Sequence, residues 1–167
     1  DVDSGTITLG GINVKDYSMN SLMNNFAFVF QRVYLFADTI ENNIKFGRQD
    51  ATHEEVVAAA KKACCHDFIS ALPDGYNTVI GEGGASLSGG EKQRISIARA
   101  IMKDAPIVIL DEATSAMDNL TEEIVMKSVM QKMKDKTVIA IAHRLNSIAG
   151  FDRIILFKEG RIVGQGT

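Results

Sequence analysis

At 167 residues, 46% of them hydrophobic and 23% charged, the chain can bury one sizeable core and has an ordinary globular composition. A formal net charge of -3 gives no electrostatic case for nucleic acid or for an anionic membrane surface. No apolar run approaches the ~20 residues that span a bilayer and no signal peptide is visible, so work at a membrane calls for a separate segment or partner.

Thr6-Ile7-Thr8-Leu9 alternates like a strand, Gly10-Gly11 turns it, and Ile12-Asn13-Val14 returns, which predicts a hairpin. Ser18 to Asn24 suits a short helix. Phe26-Ala27-Phe28-Val29-Phe30 is a near-continuous apolar run, as expected of a strand buried on both faces, and the polar Gln31 follows at its tip. Asp38 and Glu41 can cap a short helix through Ile44 that Gly47 closes, and Thr52-x-x-Glu55 is a capping box ahead of Val56, Ala60 and Ala63. His66 to Leu72 makes a further short helix, stopped by the turn Pro73-Asp74-Gly75. His53 and His66 read as exposed helix residues. Cys64 and Cys65 are neighbours in a helical pattern and point in different directions, so free thiols are expected. With no second ligand cluster beside them, a metal site is not.

Thr78 to Gly84 is a glycine-rich connection, not a dinucleotide fingerprint, because the G-x-G-x-x-G spacing fails at Ser86. It leads into Leu87-Ser88-Gly89-Gly90-Glu91. Ser88 is a natural N-cap, Glu91 completes a capping box, and Ile95, Ala98, Ile101 and Met102 follow at helical spacing. Two glycines inside the first turn cost about 1 kcal/mol each relative to alanine, which capping alone does not explain. Bare N–H groups at the positive end of a helix form a ready anion site that a phosphate can approach without meeting a Cβ. Capping alone and phosphate recognition are the two readings of this stretch.

After Pro106, the aliphatic run Ile107-Val108-Ile109-Leu110 predicts a central parallel strand, with Asp111 and Glu112 at its carboxyl end, where open α/β sheets place ligands. A helix is expected from about Asn119 to Met133, with Ile124, Val125 and Val129 inward. Thr137 to Ala142 predicts another buried strand with His143 at its end, and residues 153–163 a closing hairpin turning at Glu159-Gly160. If these strands are parallel neighbours, Gln31, the Asp111-Glu112 pair and His143 cluster at one edge. Such an acidic pair suits nucleotide hydrolysis: Asp111 can attend Mg²⁺, which favours few carboxylates plus phosphates, and Glu112 can orient or deprotonate a water. A solvated acidic turn and a structural histidine are the alternatives.

Together these pieces resemble the nucleotide-binding domain of ATP-binding-cassette (ABC) transporters. Leu87 to Glu91 resembles the family's signature motif, with Glu91 where Gln is the common form. Ile107 to Glu112 resembles the Walker B strand with its catalytic carboxylate, Gln31 the Q-loop, Ser115-Ala116-Met117-Asp118 the D-loop, and His143 the switch histidine. Thr78 to Gly84 and Phe36 to Ile44 resemble segments of the exporter-type members. The resemblance implies an α/β fold with a P-loop NTPase-like core and an inserted α-helical subdomain. Residues 1–37 and 103–167 would form a partial RecA-like ATPase core, and residues 38–102 the helical, signature-bearing subdomain.

It also implies ATP and Mg²⁺ as ligands, a transmembrane partner domain at the cytoplasmic face of a membrane, and a second nucleotide-binding domain paired head to tail. Glu112 would act as general base, His143 would contact the γ-phosphate, and Asp111 and Gln31 would attend Mg²⁺ and the water. Ser88, Gly89, Gly90 and Glu91 would serve ATP held by the partner subunit, and Asp118 would couple the sites across the dimer.

The chain departs from the family pattern in one respect. A P-loop requires G-x-x-x-x-G-K followed by Ser or Thr, and no Gly-Lys pair occurs. The Walker A part of the core is therefore expected to be missing, leaving a fragment that is inactive alone although its parent hydrolyses ATP. A non-catalytic interaction fragment that docks to a transmembrane or partner domain is the alternative. A DNA-maintenance ATPase of the same superfamily would carry a long coiled coil between Gln31 and Ser88, and none is present.

Overall fold

A computed structural model describes residues 2–84, 86–143 and 148–167, with the side chain of Lys132 left aside. The strands β1 (Thr8–Leu9) and β2 (Ile12–Asn13) form the predicted hairpin. Helix α1 (Met19–Asn24) starts at Ser18, whose hydroxyl accepts from the Ser21 amide. Strand β3 (Phe26–Val29) follows. The helices α2 (Ile40–Lys45), α3 (His53–Lys62), α4 (His66–Ser70) and α5 (Gly89–Lys103) come next, before β4 (Ile107–Asp111), α6 (Asn119–Lys132) and β5 (Thr137–Ile141). A second hairpin, β6 (Ile154–Lys158) and β7 (Arg161–Gly166), ends the chain.

Strands β3, β4 and β5 pair in that order, all parallel, with Phe26 opposite Ile107 and Ile107 opposite Thr137. β4 is central, as its unbroken aliphatics predict. Ala27, Val29, Val108 and Leu110 join Ile95, Ile97, Val125 and Val129 in one core. The two-sided burial expected of the flanking strands is corrected. Phe26 and Phe28 are half-buried, Phe30 is exposed, and their rings stack in file at 5.8 and 5.5 Å. Ile139 and Ile141 of β5 are likewise exposed. Apolar side chains alternate to both faces of the sheet, but among the described residues the helices cover only one of them.

Helix α5 is buried nearly all round, through Ile95, Ile97, Ala98, Ala100, Ile101 and Met102, as suits the spine of a packed layer. Each fully buried Ile contributes roughly 1.5–3 kcal/mol over leaving it in water. The helix ends at Asp104, whose φ of 55° is left-handed, two residues before Pro106. In α6 the inward stripe runs through Glu122, Val125 and Val129, whereas Ile124 points out with 52% exposure, so the expected inner face is corrected by about one residue of helix rotation. The cap of α2 is also corrected: Thr39 accepts from the Asn42 amide, while Asp38 takes the Thr39 amide and the Asn42 side chain.

The two segments with exporter-like sequence lie against each other. Ile40 donates to the Thr78 carbonyl, Ile80 to that of Asp38 and Gly83 to that of Leu35, each at 3.0 Å. Leu35, Ile40 and Ile80 are fully buried between them. Arg99 of α5 fastens this unit. Its guanidinium donates to both oxygens of Asn43, at 2.9 and 3.0 Å, and to the Tyr34 carbonyl at 3.2 Å. It also lies 5.5 Å from the ring centroids of Phe36 and Phe46.

The cysteines are free thiols. His53 is exposed as expected and pairs with Glu41 at 2.7 Å, whereas the expected exposure of His66 is corrected: it is half-buried, with Nδ1 2.9 Å from the Tyr76 hydroxyl.

Candidate functional site

Because β3, β4 and β5 are parallel and in register, their carboxyl ends share one edge, and that edge gathers the polar groups. Gln31 Nε2 donates to Glu112 Oε2 at 2.5 Å, and His143 Nε2 lies 2.9 Å from Glu112 Oε1. The Glu112 side chain is 20% exposed and that of His143 is 82% exposed. The carboxylate is held from both sides and remains open to solvent.

Glu112 has a φ of 46°, a left-handed backbone that costs a residue with a Cβ about 1–3 kcal/mol and persists only where its surroundings enforce it. The enforcing contacts are visible. The Glu112 amide donates to Ile141 across the sheet at 3.0 Å, and its carbonyl accepts from the Ser115 amide at 3.0 Å. Beside the carboxylate lies a cavity of about 90 Å³, lined by Thr114, Ser115, Glu122, Ile141, Ala142 and His143 as well as Glu112 itself. Its floor is fixed by the Thr114 hydroxyl, which donates to Glu122 Oε1 at 2.7 Å with both residues buried.

Asp111 is the last residue of β4 and half-buried. No group of three or more His, Cys, Asp or Glu side chains could hold a metal among the described residues. A lone strand-end carboxylate fits Mg²⁺, which takes most of its ligands from phosphate and water, and does not fit an all-protein metal cage.

The segment 87–91 folds as its capping box requires. Ser88 accepts from the Glu91 amide at 3.3 Å, and Glu91 Oε2 accepts from the Ser88 amide at 2.8 Å and hydroxyl at 2.7 Å. The Ser88 hydroxyl holds the Glu91 carboxyl below its ordinary pKa, and the Ser88 amide reinforces this. The glycines have a second physical reason that sequence reasoning missed. A Cβ on Gly89 would come within 3.2 Å of the Ala116 Cβ, and one on Gly90 within 3.2 Å of the Ala116 carbonyl oxygen. The helix start is seated on the turn that follows Glu112.

Asp118 caps α6, accepting from the Thr121 amide at 3.0 Å and hydroxyl at 2.7 Å. Sequence reasoning also missed Gln93, which is 1% exposed and bonds the Glu112 turn from α5. The available signal was a polar residue in register with Ile97 and Ile101 on an apolar stripe.

The three parallel strands thus end in Gln31, the Asp111-Glu112 pair and His143, beside a helix that opens on two glycines. The family model described as "ABC transporter" matches residues 1–115, and the chain belongs to that family. It is 50% identical over 167 residues to the ATP-dependent lipid A-core flippase of Desulfotalea psychrophila, covering 100% of this chain and 29% of that protein. The flippase of Legionella pneumophila (strain Paris) is also 50% identical over 167 residues, with 28% of its length covered. A solved structure described as a bacterial Atm1-family ABC exporter with ATP bound superposes with a TM-score of 0.97 at 44% identity, covering 100% of this chain and 30% of that one. The fold is that of an ABC exporter's nucleotide-binding domain, and the chain spans less than a third of the length of these relatives.

Proposed function

We propose that these residues are the ATP-binding and hydrolysing part of an ABC exporter, coupling ATP hydrolysis to transport across a membrane. The observation that carries this reading is the meeting of Gln31 and His143 on the two oxygens of Glu112. Glu112 takes the proton of the attacking water as general base. Gln31 orients the carboxylate and the water, and His143 faces the γ-phosphate. Asp111, with Gln31, would hold Mg²⁺, which supplies charge neutralisation on the β- and γ-phosphate oxygens.

The bare helix start at Ser88, Gly89 and Gly90, with Glu91 behind it, serves ATP held by a second nucleotide-binding domain. Asp118, at the cap of α6 next to that helix start, relays between the paired sites. The chain contains no Gly-Lys pair, so the phosphate-cradling loop belongs to a longer parent, and these 167 residues alone do not turn over ATP. Residues 1–37 and 103–167 act as the ATPase core, with residues 38–102 as the helical subdomain.

An aromatic groove of about 330 Å³, lined by Phe28, Phe30, Tyr34, Phe36 and Phe46 with Arg99 at its base, supports docking of a transmembrane partner domain. No helix among the described residues is long and apolar enough to cross a membrane, so the anchor lies in that partner, with this domain at its cytoplasmic face. The test is phosphate release from Mg-ATP by the full-length protein in lipid vesicles. Native protein is expected to turn over, and Gln31→Ala and His143→Ala each to lose at least about tenfold. Equal release from all three would contradict the roles of Gln31 and His143, and no release from the native protein would favour the docking role without catalysis.

A further inference from the structure

Gln93 lies on α5, one turn in from the Ser88 cap, with 1% of its surface exposed. A buried amide costs free energy unless both of its ends are bonded. Both ends are. Nε2 donates to the Glu112 carbonyl at 3.2 Å, and Oε1 accepts from the Ala116 amide at 3.1 Å. The two partners bracket the turn that opens on the left-handed Glu112, where φ is 46°. A relaxed backbone at Glu112 would turn its carbonyl away from Gln93 and carry the side chain out of line with Gln31 and His143. Volume does not demand an amide here, since a methionine fills a similar space. Only the pair of hydrogen bonds does.

We infer that Gln93 is a positioning residue for Glu112, pinning the strained turn so that the carboxylate stays between Gln31 and His143. Gln93 acts from the helix whose other contact with that turn is the seat of Gly89 and Gly90 on Ala116. A displacement of the helix start therefore reaches the base through one side chain. The inference rests on Glu112 being the general base, as proposed above.

The test uses the full-length protein with Gln93→Met and Gln93→Glu. A protonated glutamic acid reproduces both bonds, its O–H donating to the Glu112 carbonyl and its C=O accepting from the Ala116 amide. The ionised form loses the donor and sets an anion against a carbonyl. Gln93→Met is expected to lower kcat for ATP about 10- to 100-fold while KM stays within about threefold. For Gln93→Glu, kcat as a ratio to native is expected to rise as pH falls from about 8.5 to 6.5, because burial lifts a carboxyl pKa. Native kcat in Gln93→Met, or a ratio for Gln93→Glu that is flat with pH, would overturn the inference. If Gln93→Met does not fold, the pH profile of Gln93→Glu decides alone. A native protein that hydrolyses no ATP contradicts the ATPase reading itself, whereas native turnover with a flat ratio contradicts only the role of Gln93.

Discussion

The side-chain amide of Gln31 rests on Oε2 of Glu112, which lies 81 residues further along the chain. The contact exists because β3 and β4 run parallel from the pair Phe26 and Ile107 to the pair Val29 and Leu110, so their ends arrive together. Replacing the neutral donor by a second carboxylate reverses the sign of the interaction. Gln31→Glu removes the donor and sets a second carboxylate against that of Glu112, so kcat of the full-length protein is expected to fall at least about tenfold at neutral pH. Phosphate release at the native rate would contradict the role of the Gln31 amide.

Asn43 is 1% exposed and fully engaged. Its amide donates to the Phe36 and Thr39 carbonyls at 3.0 Å, and its oxygen accepts from the Phe36 amide and from Arg99. Burial lowers the pKa of Arg99 to about 10, leaving it charged at neutral pH and dependent on these acceptors. Asn43→Ala strands several buried groups at once and is expected to cost about 2–4 kcal/mol in urea unfolding. A loss below about 0.5 kcal/mol, the range of an ordinary surface change, would contradict this account of the cluster.

Gly47 closes α2 against α5, where an added Cβ would collide with the backbone carbonyl of Arg99 and come within 2.9 Å of the Lys103 amide. Backbone cannot yield as a side chain can, so Gly47→Ala is expected to lose about 1–3 kcal/mol. Gly75→Ala, with no atom within 4 Å of the added carbon but a φ of 51°, carries only the left-handed penalty of about 1 kcal/mol. Thermal unfolding of the two variants side by side checks the order.

Much of this was legible from residues alone where the cause is local. The capping boxes at Thr52-Glu55 and Ser88-Glu91 form as spelled, since each needs only four consecutive residues. The strand-end placement of Gln31, Glu112 and His143 followed from three apolar runs with polar tips. What was not legible depends on distant partners. The stripe of Ile97 and Ile101 marks Gln93 as inward, but its partners in the Glu112 turn are 19 and 23 residues away, and Asn43 meets Arg99 across 56 residues of chain. Thr39 and Asp38 are both competent caps, and only the entry angle of the chain decides between them. The exposure of Phe30, Ile139 and Ile141 was also out of reach, because an apolar run states what can be buried and not what covers it.

Glu91 gives α5 a charge as well as a cap. Its folded pKa lies below the ordinary 4.5, so the stabilisation is fully present above that value and is lost as pH falls through the depressed one. Glu91→Gln keeps a capping side chain but removes the anion from the helix N-terminus, worth about 0.3–1 kcal/mol. Native protein is expected to be the more stable of the two at neutral pH, with the gap closing below about pH 4. Urea midpoints that differ equally at both pH values would show that the charge contributes nothing.

The most direct test of the hydrolytic centre is Glu112→Gln in the full-length protein, with single-turnover ATP hydrolysis and ATP-dependent pairing of nucleotide-binding domains measured on the same sample. The amide keeps the shape of the side chain but cannot accept the proton, so hydrolysis should fall by about 10²- to 10⁴-fold while ATP still drives pairing. Hydrolysis at the native rate would contradict Glu112 as the base and, with it, the reading of the Gln31, Glu112 and His143 cluster as the catalytic site.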